Sequence, residues 1–539
     1  AGVGGDVWDV IVVGAGAAGL AQVRRLREDG MKVHGIEVAA GVGGTWYWNR
    51  YPGARCDVPS MDYSFQFDRE LEEEWTWKER YAPQAEIFAY LNHVADRFDL
   101  RQEFSFGERV DSASFNEDAN LWTTNTTVIE TNEKKTYESR FLVLATGCLS
   151  KINEPQLEGQ KDFKGNIYYT GRWPEEADIA GKRVGVIGTG STAIQAIPMI
   201  AKEVSHLTVF QRTANYVIPA RNRELTVDEV QSTKNSYPQR RAQQNNLPFA
   251  LDINQNMKVF NDFTEEEYRE EVAQRWEAGG FAFLGSCLDY IVNPEPQRIT
   301  EEYVKERIAD IVKDPRKREI LTPKLPLVCK RMPLDTNYWE TYNSDHVDLV
   351  SIADTPILRM TPNGIELEDG RQFNLDCLIF ATGFDAMTGA VTSIDISGRE
   401  GKKLAQEWKE NGPTNYLGLC VSGYPNLFTI TGPGSPSVAS NMMFSIEQHT
   451  DYVADIVKMM KAKNLLSIEP ELESQQKWTD MVTQIANATG FAQEGCKSWY
   501  LGSNIPGKKR QFMLYLGFDT YVKQCNDIAA GGYVGFKLA

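Results

Sequence analysis

Apolar and polar positions follow the same order at two places in this sequence of 539 residues. Residues 8–13 and 184–187 are mostly apolar and β-branched. A glycine-rich turn follows each run, and an apolar stripe with helical spacing comes next. A buried strand, a tight turn and a helix in this order predict a dinucleotide-binding βα unit, because glycine lets the backbone approach a pyrophosphate. The two turns contain, in chain order, Gly14, Gly16, Ala18 and Gly19, and then Gly188, Thr189, Gly190, Ser191, Thr192 and Ala193.

The end of the next apolar strand differs between the two units. Residues 33–36 lead into Glu37, whose carboxylate can bind a ribose hydroxyl pair and would repel a 2′-phosphate. The first site is therefore expected to hold FAD or NAD. Residues 207–210 lead instead to Arg212, followed by Thr213. Because a guanidinium binds phosphate oxygens in pairs, the second site is expected to prefer NADP, although a solvated arginine would give the same pattern.

The remaining periodicities predict an α/β protein with two dinucleotide-binding, Rossmann-like domains and a helical insertion. FLVLATG at 141–147 and CLIFATG at 377–383 predict short buried strands that end in glycine turns. We expect the insertion to cover the active site without a catalytic residue of its own. We assign residues 1–150 and 384–539 to an FAD-binding domain, 151–220 and 325–383 to an NADP-binding domain, and 221–324 to the insertion.

Composition restricts the classes of partner. The formal net charge of −17 argues against a surface for nucleic acid or an anionic membrane. The sequence contains no apolar run of about 18 residues or more, so we expect no membrane span. The start of the sequence lacks the pattern of a signal peptide, which favours the cytoplasm. We expect a monomer or a weak homo-oligomer.

Cysteines and histidines indicate neither a disulfide framework nor a metal site. The eight cysteines are scattered without a CxxC pair, so we expect free thiols in a reducing cytosol. The five histidines have no metal-ligand spacing. The cysteines are Cys56, Cys148, Cys287, Cys329, Cys377, Cys420, Cys496 and Cys525.

Residues 43–57 bring several aromatic residues close together among glycines and a proline. Trp46, Tyr47, Trp48 and Tyr51 lie within this stretch, which Asp57 ends. Such a stretch predicts a rigid wall around a flat ligand. Without further context, Asp57 would be interpreted as the cap of a helix or turn.

Two stretches resemble the signatures of one family, the type I Baeyer–Villiger monooxygenases. Residues 43–57 match [AG]-G-x-W-x4-[FY]-P-[GM]-x3-D at every specified position. Residues 163–174 match F-x-G-x3-H-x3-W-P, except that Tyr169 stands where the family has histidine. With both nucleotide sites included, the resemblance covers nearly the whole chain.

The resemblance implies roles for individual residues. It implies FAD in the first site and NADPH in the second, with Arg331 and Asp57 as the catalytic pair. It also places Ser437, Val438 and Ala439 in the substrate pocket. Against FAD it places Gly44, Thr45, Trp46, Arg55, Asp57, Tyr63, Val110 and Met442, and against NADP it places Gln195, Thr213, Lys330, Arg331 and Trp499. The sequence leaves open that Lys330 and Arg331 are solvated charges and that Trp499 fills a core gap.

The activity that the resemblance implies is the conversion of cyclic, aryl or linear ketones to esters or lactones. NADPH and O2 would be consumed, and the oxidant would be a C4a-peroxyflavin whose charge Arg331 stabilises. The alternative is a flavin-containing monooxygenase that oxidises sulfur or nitrogen, which usually lacks the Trp173-Pro174 ending. A dithiol reductase would need a redox-active cysteine pair, for which the sequence offers no candidate. A non-catalytic NADP sensor would not need Arg331 beside the pocket.

Overall fold

Two sheets organise residues 7–539, the part of the chain that the computed structural model describes. The domain assignment of residues 1–6 lies outside the described residues. The strands are, in chain order, β1 (Trp8–Val13), β2 (Val33–Glu37), β3 (Phe104–Phe106), β4 (Glu108–Asn116), β5 (Leu121–Val128), β6 (Lys134–Leu144), β7 (Asn166–Tyr169), β8 (Arg183–Ile187), β9 (His206–Gln211), β10 (Ile218–Pro219), β11 (Leu334–Asp335), β12 (Val347–Ser351), β13 (Ile357–Thr361), β14 (Gly364–Leu367), β15 (Gln372–Asn374), β16 (Cys377–Phe380), β17 (Asp395–Ser397), β18 (Leu427–Thr429), β19 (Ile468–Pro470) and β20 (Phe536–Leu538).

Helices connect these strands within the described residues. They are, in chain order, α1 (Ala17–Glu28), α2 (Thr45–Trp48), α3 (Arg69–Glu74), α4 (Gln84–Arg97), α5 (Ser191–Ile200), α6 (Val227–Gln244), α7 (Glu265–Ala278), α8 (Pro294–Ile311), α9 (Pro315–Leu321), α10 (Tyr338–Thr341), α11 (Gly389–Thr392), α12 (Leu404–Asn411), α13 (Met442–Ala462), α14 (Leu472–Asn487) and α15 (Phe518–Ala530). None of them is long and apolar enough to cross a membrane.

The first sheet has the strand order β17-β4-β5-β6-β1-β2-β3, with β18 paired to β6. β1 runs parallel to both β2 and β6. The short strand predicted at 141–147 is the second half of a longer one. Strand β6 begins at Lys134 because its first half pairs antiparallel with β5, while its second half lies between β1 and β18.

The second sheet is parallel throughout, in the order β12-β9-β8-β16-β7. Each glycine-rich turn follows a strand inside its sheet, β1 or β8, and opens a helix, α1 or α5. This is the arrangement in which parallel α/β sheets bind nucleotides at the carboxyl ends of their strands. The prediction of two dinucleotide-binding units in an α/β protein is confirmed, whereas the domain boundaries stay a prediction.

The predicted insertion contains α6 to α9 and packs against both cores. Tyr237 of α6 belongs to the apolar cluster beneath the first sheet. Val272 of α7 and Ile299 of α8 belong to the cluster beneath the second. The insertion leaves after β10 and returns through β11, and these two short strands pair with each other. The segment that follows β10 is therefore anchored close to the segment that carries Arg331.

Tertiary contacts set the first residues of two helices. Residues 78–100 have the apolar spacing of an amphipathic helix, but α4 begins only at Gln84, because residues 79–82 bond to other segments, as in the bond from the Arg80 amide to the Arg223 carbonyl. Residues 445–461 also predict a helix, and α13 begins three residues earlier, at Met442, because Asn441 caps it by accepting from the Met443 amide. The aromatic wall contains one short helix, Thr45–Trp48.

One expectation about cysteine is wrong. Cys329 and Cys496 form a disulfide across a sequence separation of 167 residues, with their Cα atoms 5.3 Å apart. Spacing along the chain could not reveal this pair, because only the tertiary fold brings the two segments together. The chain therefore does contain a cysteine pair, although the sequence offered no candidate for one. The other six cysteines are free and buried.

Candidate active site

The first glycine turn lies in backbone contact with the aromatic stretch. Gly14 has a φ of +111°, and an added Cβ would lie 2.4 Å from the Ala145 carbonyl oxygen. A Cβ on Gly44 would lie 2.8 Å from the Cα of Gly16. Only glycine permits these approaches. The two backbones therefore form a narrow cradle at the N-terminus of α1, which fits a pyrophosphate.

Glu37 ends β2 and lies over this turn. Its carboxylate accepts hydrogen bonds from the Ala15 amide at 2.6 Å and the Ala39 amide at 2.7 Å. Burial raises the pKa of the carboxyl, opposed by the bonds from Ala39 and Ala15. Val110 of β4 packs in the apolar cluster that includes Ile36. An acid held at this position fits an unphosphorylated ribose, as predicted for FAD.

The aromatic wall is locked by side-chain contacts. The Trp46 indole donates to the Tyr63 hydroxyl at 3.3 Å, and the two rings meet edge to face at 6.0 Å. The Arg55 guanidinium bonds to the Glu79 carboxylate at 2.7 Å and to the Tyr81 carbonyl. The charge of Arg55 is therefore paired within the protein, and its contact with FAD stays a prediction.

The second glycine turn repeats the first but is more open. A Cβ on Gly188, whose φ is +117°, would lie 2.3 Å from the Ala381 carbonyl oxygen, whereas a Cβ on Gly190 would meet nothing within 4 Å. The Thr189 hydroxyl donates to the Thr213 carbonyl at 2.9 Å. The turn is thus held to the segment after β9 while its exposed face remains free for a phosphate. Of the remaining predicted turn residues, the structure buries Ala193, leaves Thr192 half-buried and exposes Ser191.

Gln195 of α5 connects the two nucleotide sites. Its amide oxygen accepts from the Tyr51 hydroxyl at 2.7 Å, and its amide nitrogen donates to the Arg55 carbonyl at 3.0 Å. The side chain predicted to contact NADP is therefore engaged with the wall of the first site. This link between two distant motifs has no signal in the sequence.

Two cations converge beyond the second turn. Burial, and then the positive charge of Arg212, lowers the pKa of Lys330. Lys330 lines a small pocket together with Tyr216 and Arg331. The Tyr216 hydroxyl is buried and has no hydrogen-bond partner among residues 7–539. Like charges that face each other beside an unpartnered hydroxyl fit a phosphate-bearing ligand.

Arg331 is held in a fixed orientation by Asp57. Its Nε and one Nη donate to the two carboxylate oxygens at 2.9 and 3.0 Å, and the other Nη donates to the Val438 carbonyl at 2.7 Å. The ring of Phe281 lies 5.0 Å from the guanidinium carbon. Burial opposes the charge of Arg331, but Asp57 outweighs it and the pKa of the guanidinium is raised. The side chain stays a cation, so neither the cap interpretation of Asp57 nor the solvated interpretation of Arg331 describes this pair.

The loop at residues 437–439 lies directly against Arg331. Ser437 is buried with a φ of +44°, and its hydroxyl lies 3.8 Å from the Met442 sulfur. Val438 supplies the carbonyl that Arg331 binds, and Ala439 follows at the end of the turn. The loop predicted to line the substrate pocket therefore contacts the predicted catalytic cation.

The segment around Trp499 closes the opposite side. Trp499 is half-buried, with its ring 4.5 Å from that of Tyr500. The hydroxyl of the buried Tyr500 faces Arg331. Burial raises the pKa of Tyr500, and the positive charge of Arg331 opposes this shift. Sequence patterns singled out neither Tyr500 nor Phe281, and the only signal was the position of Phe281 after Gly279-Gly280. The contact of Trp499 with NADP stays a prediction.

Comparisons with known proteins decide the family. A pyridine nucleotide-disulphide oxidoreductase profile matches residues 11–231. A Baeyer–Villiger monooxygenase of Pseudooceanicola batsensis is 40% identical over 98% of this chain and 96% of its own. The chain belongs to the Baeyer–Villiger monooxygenases. A closed cyclohexanone monooxygenase structure superposes with a TM-score of 0.95 at 39% identity, covering 99% of both chains. An OTEMO structure in complex with FAD and NADP has a TM-score of 0.93 at 36% identity, again over 99% of both chains.

This monooxygenase is therefore a flavoprotein that depends on FAD and NADPH. Its own residues fit both groups: the Gly16–Gly44 cradle with Glu37 fits FAD, and the open turn at Gly190 with the two cations fits NADP. Burial raises the pKa of the free thiol of Cys148 to about 11, which disfavours its thiolate form.

Proposed function

We propose that this monooxygenase uses FAD, NADPH and O2 to convert ketones into esters or lactones. The observation that carries the proposal is the half-buried Arg331, fixed by both oxygens of Asp57 and in contact with the loop at Val438. A permanent cation in that position suits a reaction in which negative charge develops on oxygen. Family membership supports the same reaction.

The protein contributes position and charge. Bound FAD, reduced by NADPH, supplies the activation of O2. Arg331 stabilises negative charge on the reacting oxygens, and it costs little reorganisation because Asp57 and Val438 already hold it. The Phe281 ring lies over the guanidinium and shields one side of it. Ser437, Val438 and Ala439 shape the space for the ketone.

A product screen tests the proposal directly. Purified holoenzyme would be incubated with cyclic, aryl and linear ketones, and with a sulfide and a tertiary amine, using NADPH and then NADH. Gas chromatography is expected to find esters or lactones that depend on NADPH. Oxidation of only the sulfide and the amine would favour the alternative, a flavin-containing monooxygenase, and overturn the proposal.

Arg212→Ala is expected to raise KM for NADPH far more than KM for NADH. The loss of a charge-assisted contact with the 2′-phosphate costs about 1.5–3 kcal/mol, or roughly ten- to hundredfold. Steady-state kinetics with both nucleotides measure the difference. The exposed Lys202 provides a control, since Lys202→Ala should change neither KM. Equal weakening of both nucleotides by Arg212→Ala would contradict the phosphate assignment.

Tyr169→His is expected to change turnover by less than about tenfold, or 1.4 kcal/mol. Tyr169 ends β7, where its hydroxyl accepts from the Gln160 amide at 3.2 Å and its ring stacks on Phe380 at 5.2 Å. These contacts belong to the second sheet, so the family histidine is not needed for chemistry here. Ester formation by Tyr169→His and Tyr169→Phe measures the effect. A gain of several orders of magnitude with histidine would contradict it.

We also propose that the protein is a cytoplasmic monomer or weak homo-oligomer. The net charge of −17 and the six buried free thiols support this assignment. Light scattering across a concentration series tests the assembly, and a stable dimer at all concentrations would contradict it.

A further inference from the structure

The disulfide between Cys329 and Cys496 joins the two segments that meet at the catalytic arginine. Cys329 directly precedes Lys330 and Arg331. Cys496 lies shortly before Tyr500, whose hydroxyl faces the guanidinium from the other side. The bond therefore links the segment that carries the cation to the segment that covers it.

Noncovalent contacts hold the two ends of the segment around Cys496 more firmly than its middle, because residues 500 and 501 pack in an apolar cluster with residues 512–514. Val328 packs so closely on Gly490 that an added Cβ there would lie 2.1 Å from a Val328 methyl carbon. The Gly490 amide donates to the Ile291 carbonyl at 3.0 Å. The exposed Arg510 binds the Cys496 carbonyl at 2.7 Å, together with two neighbouring carbonyls of the same turn. The middle of the segment, residues 493–497, is thus held mainly by the disulfide and by Arg510.

The disulfide can be reached by a small reductant through a local opening. Both sulfur-bearing side chains are buried, but Gly495 and Lys497, on either side of Cys496, are exposed. Gly495 has a φ of +88°, and a Cβ there would meet nothing within 4 Å, as expected for a surface turn. Turns with few outside contacts open at a free-energy cost well below that of global unfolding.

We propose that Cys329–Cys496 is a thiol–disulfide exchange site that holds the turn at residues 493–497 beside the segment of Arg331 when oxidised and releases this turn when reduced. A small dithiol transfers two electrons and two protons, so that the S–S bond becomes two thiols and the dithiol becomes a cyclic disulfide. A low-molecular-weight disulfide reverses the reaction by exchange, leaving as its two thiols. A reducing cytosol makes such a bond more suited to regulation than to structure.

The state of the bond and of the turn can be measured without turnover. Holoenzyme purified without reductant is mapped by mass spectrometry, and the native protein is then treated with dithiothreitol. Limited trypsin cleavage after Lys497 reports how often the turn opens. We expect a disulfide-linked peptide, its loss on treatment, and cleavage that becomes roughly tenfold faster, a 1.4 kcal/mol change in opening. Free thiols before treatment, a bond that resists the dithiol, or unchanged cleavage would each overturn the proposal.

Matched variants test whether the disulfide affects catalysis, and this test rests on the proposed function. Cys496→Ser should behave like the reduced wild type and no longer respond to dithiothreitol, whereas Cys287→Ser, at a free buried cysteine, should respond like the wild type. Ester formed per NADPH should fall about threefold on reduction, as expected if the closed segment is then populated in about one third of molecules. Equal coupling in both redox states would refute the control of catalysis. Absence of ester in both states, with Lys497 cleavage still responsive, would instead contradict the proposed function.

Discussion

Arg331→Ala is expected to lower ester formation from a ketone by at least about a hundredfold while NADPH is still consumed slowly. Removal of one preorganised donor to a developing oxyanion costs about 3 kcal/mol or more. Asp57 would also be left without the guanidinium that now bonds to both of its oxygens. Both nucleotide sites remain, so hydride transfer should survive in part and hydrogen peroxide should replace the ester as product.

The decisive measurement is ester and hydrogen peroxide formed per NADPH consumed. Arg331→Lys serves as the matched control, because it keeps the charge but lacks the planar fork that Asp57 and Val438 hold. We expect only partial recovery of ester with lysine. Coupled turnover in the alanine variant would refute the role of Arg331.

Arg241→Met is expected to destabilise the protein by about 3 kcal/mol. Arg241 of α6 donates to the Glu72 carboxylate at 2.9 Å, and the two side chains are only 6% and 5% exposed. One Nη of Arg241 donates to the Ser64 hydroxyl at 2.8 Å. Methionine would leave the buried Glu72 with only Arg69, at 3.4 Å, as a cationic partner. The insertion would then be attached less firmly to the first nucleotide-binding unit.

Two controls separate a buried charge from a lost contact. Arg269→Met removes an ion pair with Glu306 whose side chains are 33% and 47% exposed, and it should cost less than about 1 kcal/mol. The double variant Glu72→Leu, Arg241→Met should recover much of the loss, because it leaves no unpaired buried carboxylate. Thermal midpoints at one scan rate compare the four proteins. An Arg241→Met midpoint equal to that of Arg269→Met would show that the buried pair contributes little.

The nucleotide-binding architecture was predictable from sequence because its determinants are local. A β-branched run, glycines that need a positive φ, and a terminal residue of known charge lie within a few dozen positions of one another. Strand boundaries were less predictable. The extent of β6 depends on three different partners along its length, and no window of the sequence contains all of them.

The candidate site was predictable only in part, for the same reason. The motif ending at Asp57 and the basic pair Lys330-Arg331 both stood out, yet their mutual contact spans 274 positions. Phe281 and Tyr500 reach the same guanidinium from segments whose patterns show only helical or aromatic character. Arg55 and Gln195 were expected at the cofactors, and the structure pairs their side chains with other protein groups.

The sequence by itself determined that this chain has two nucleotide sites of opposite ribose chemistry, because one acid and one arginine stand at equivalent strand ends. The family resemblance implied that Asp57 and Arg331 act as a pair, and the tertiary structure brings them into contact. Only the tertiary structure decided that Gln195 connects the two sites and that Cys329 bonds to Cys496. Each of these is a contact between segments far apart in the chain. Such contacts depend on how the sheets and the insertion pack, which residue spacing along the chain does not encode.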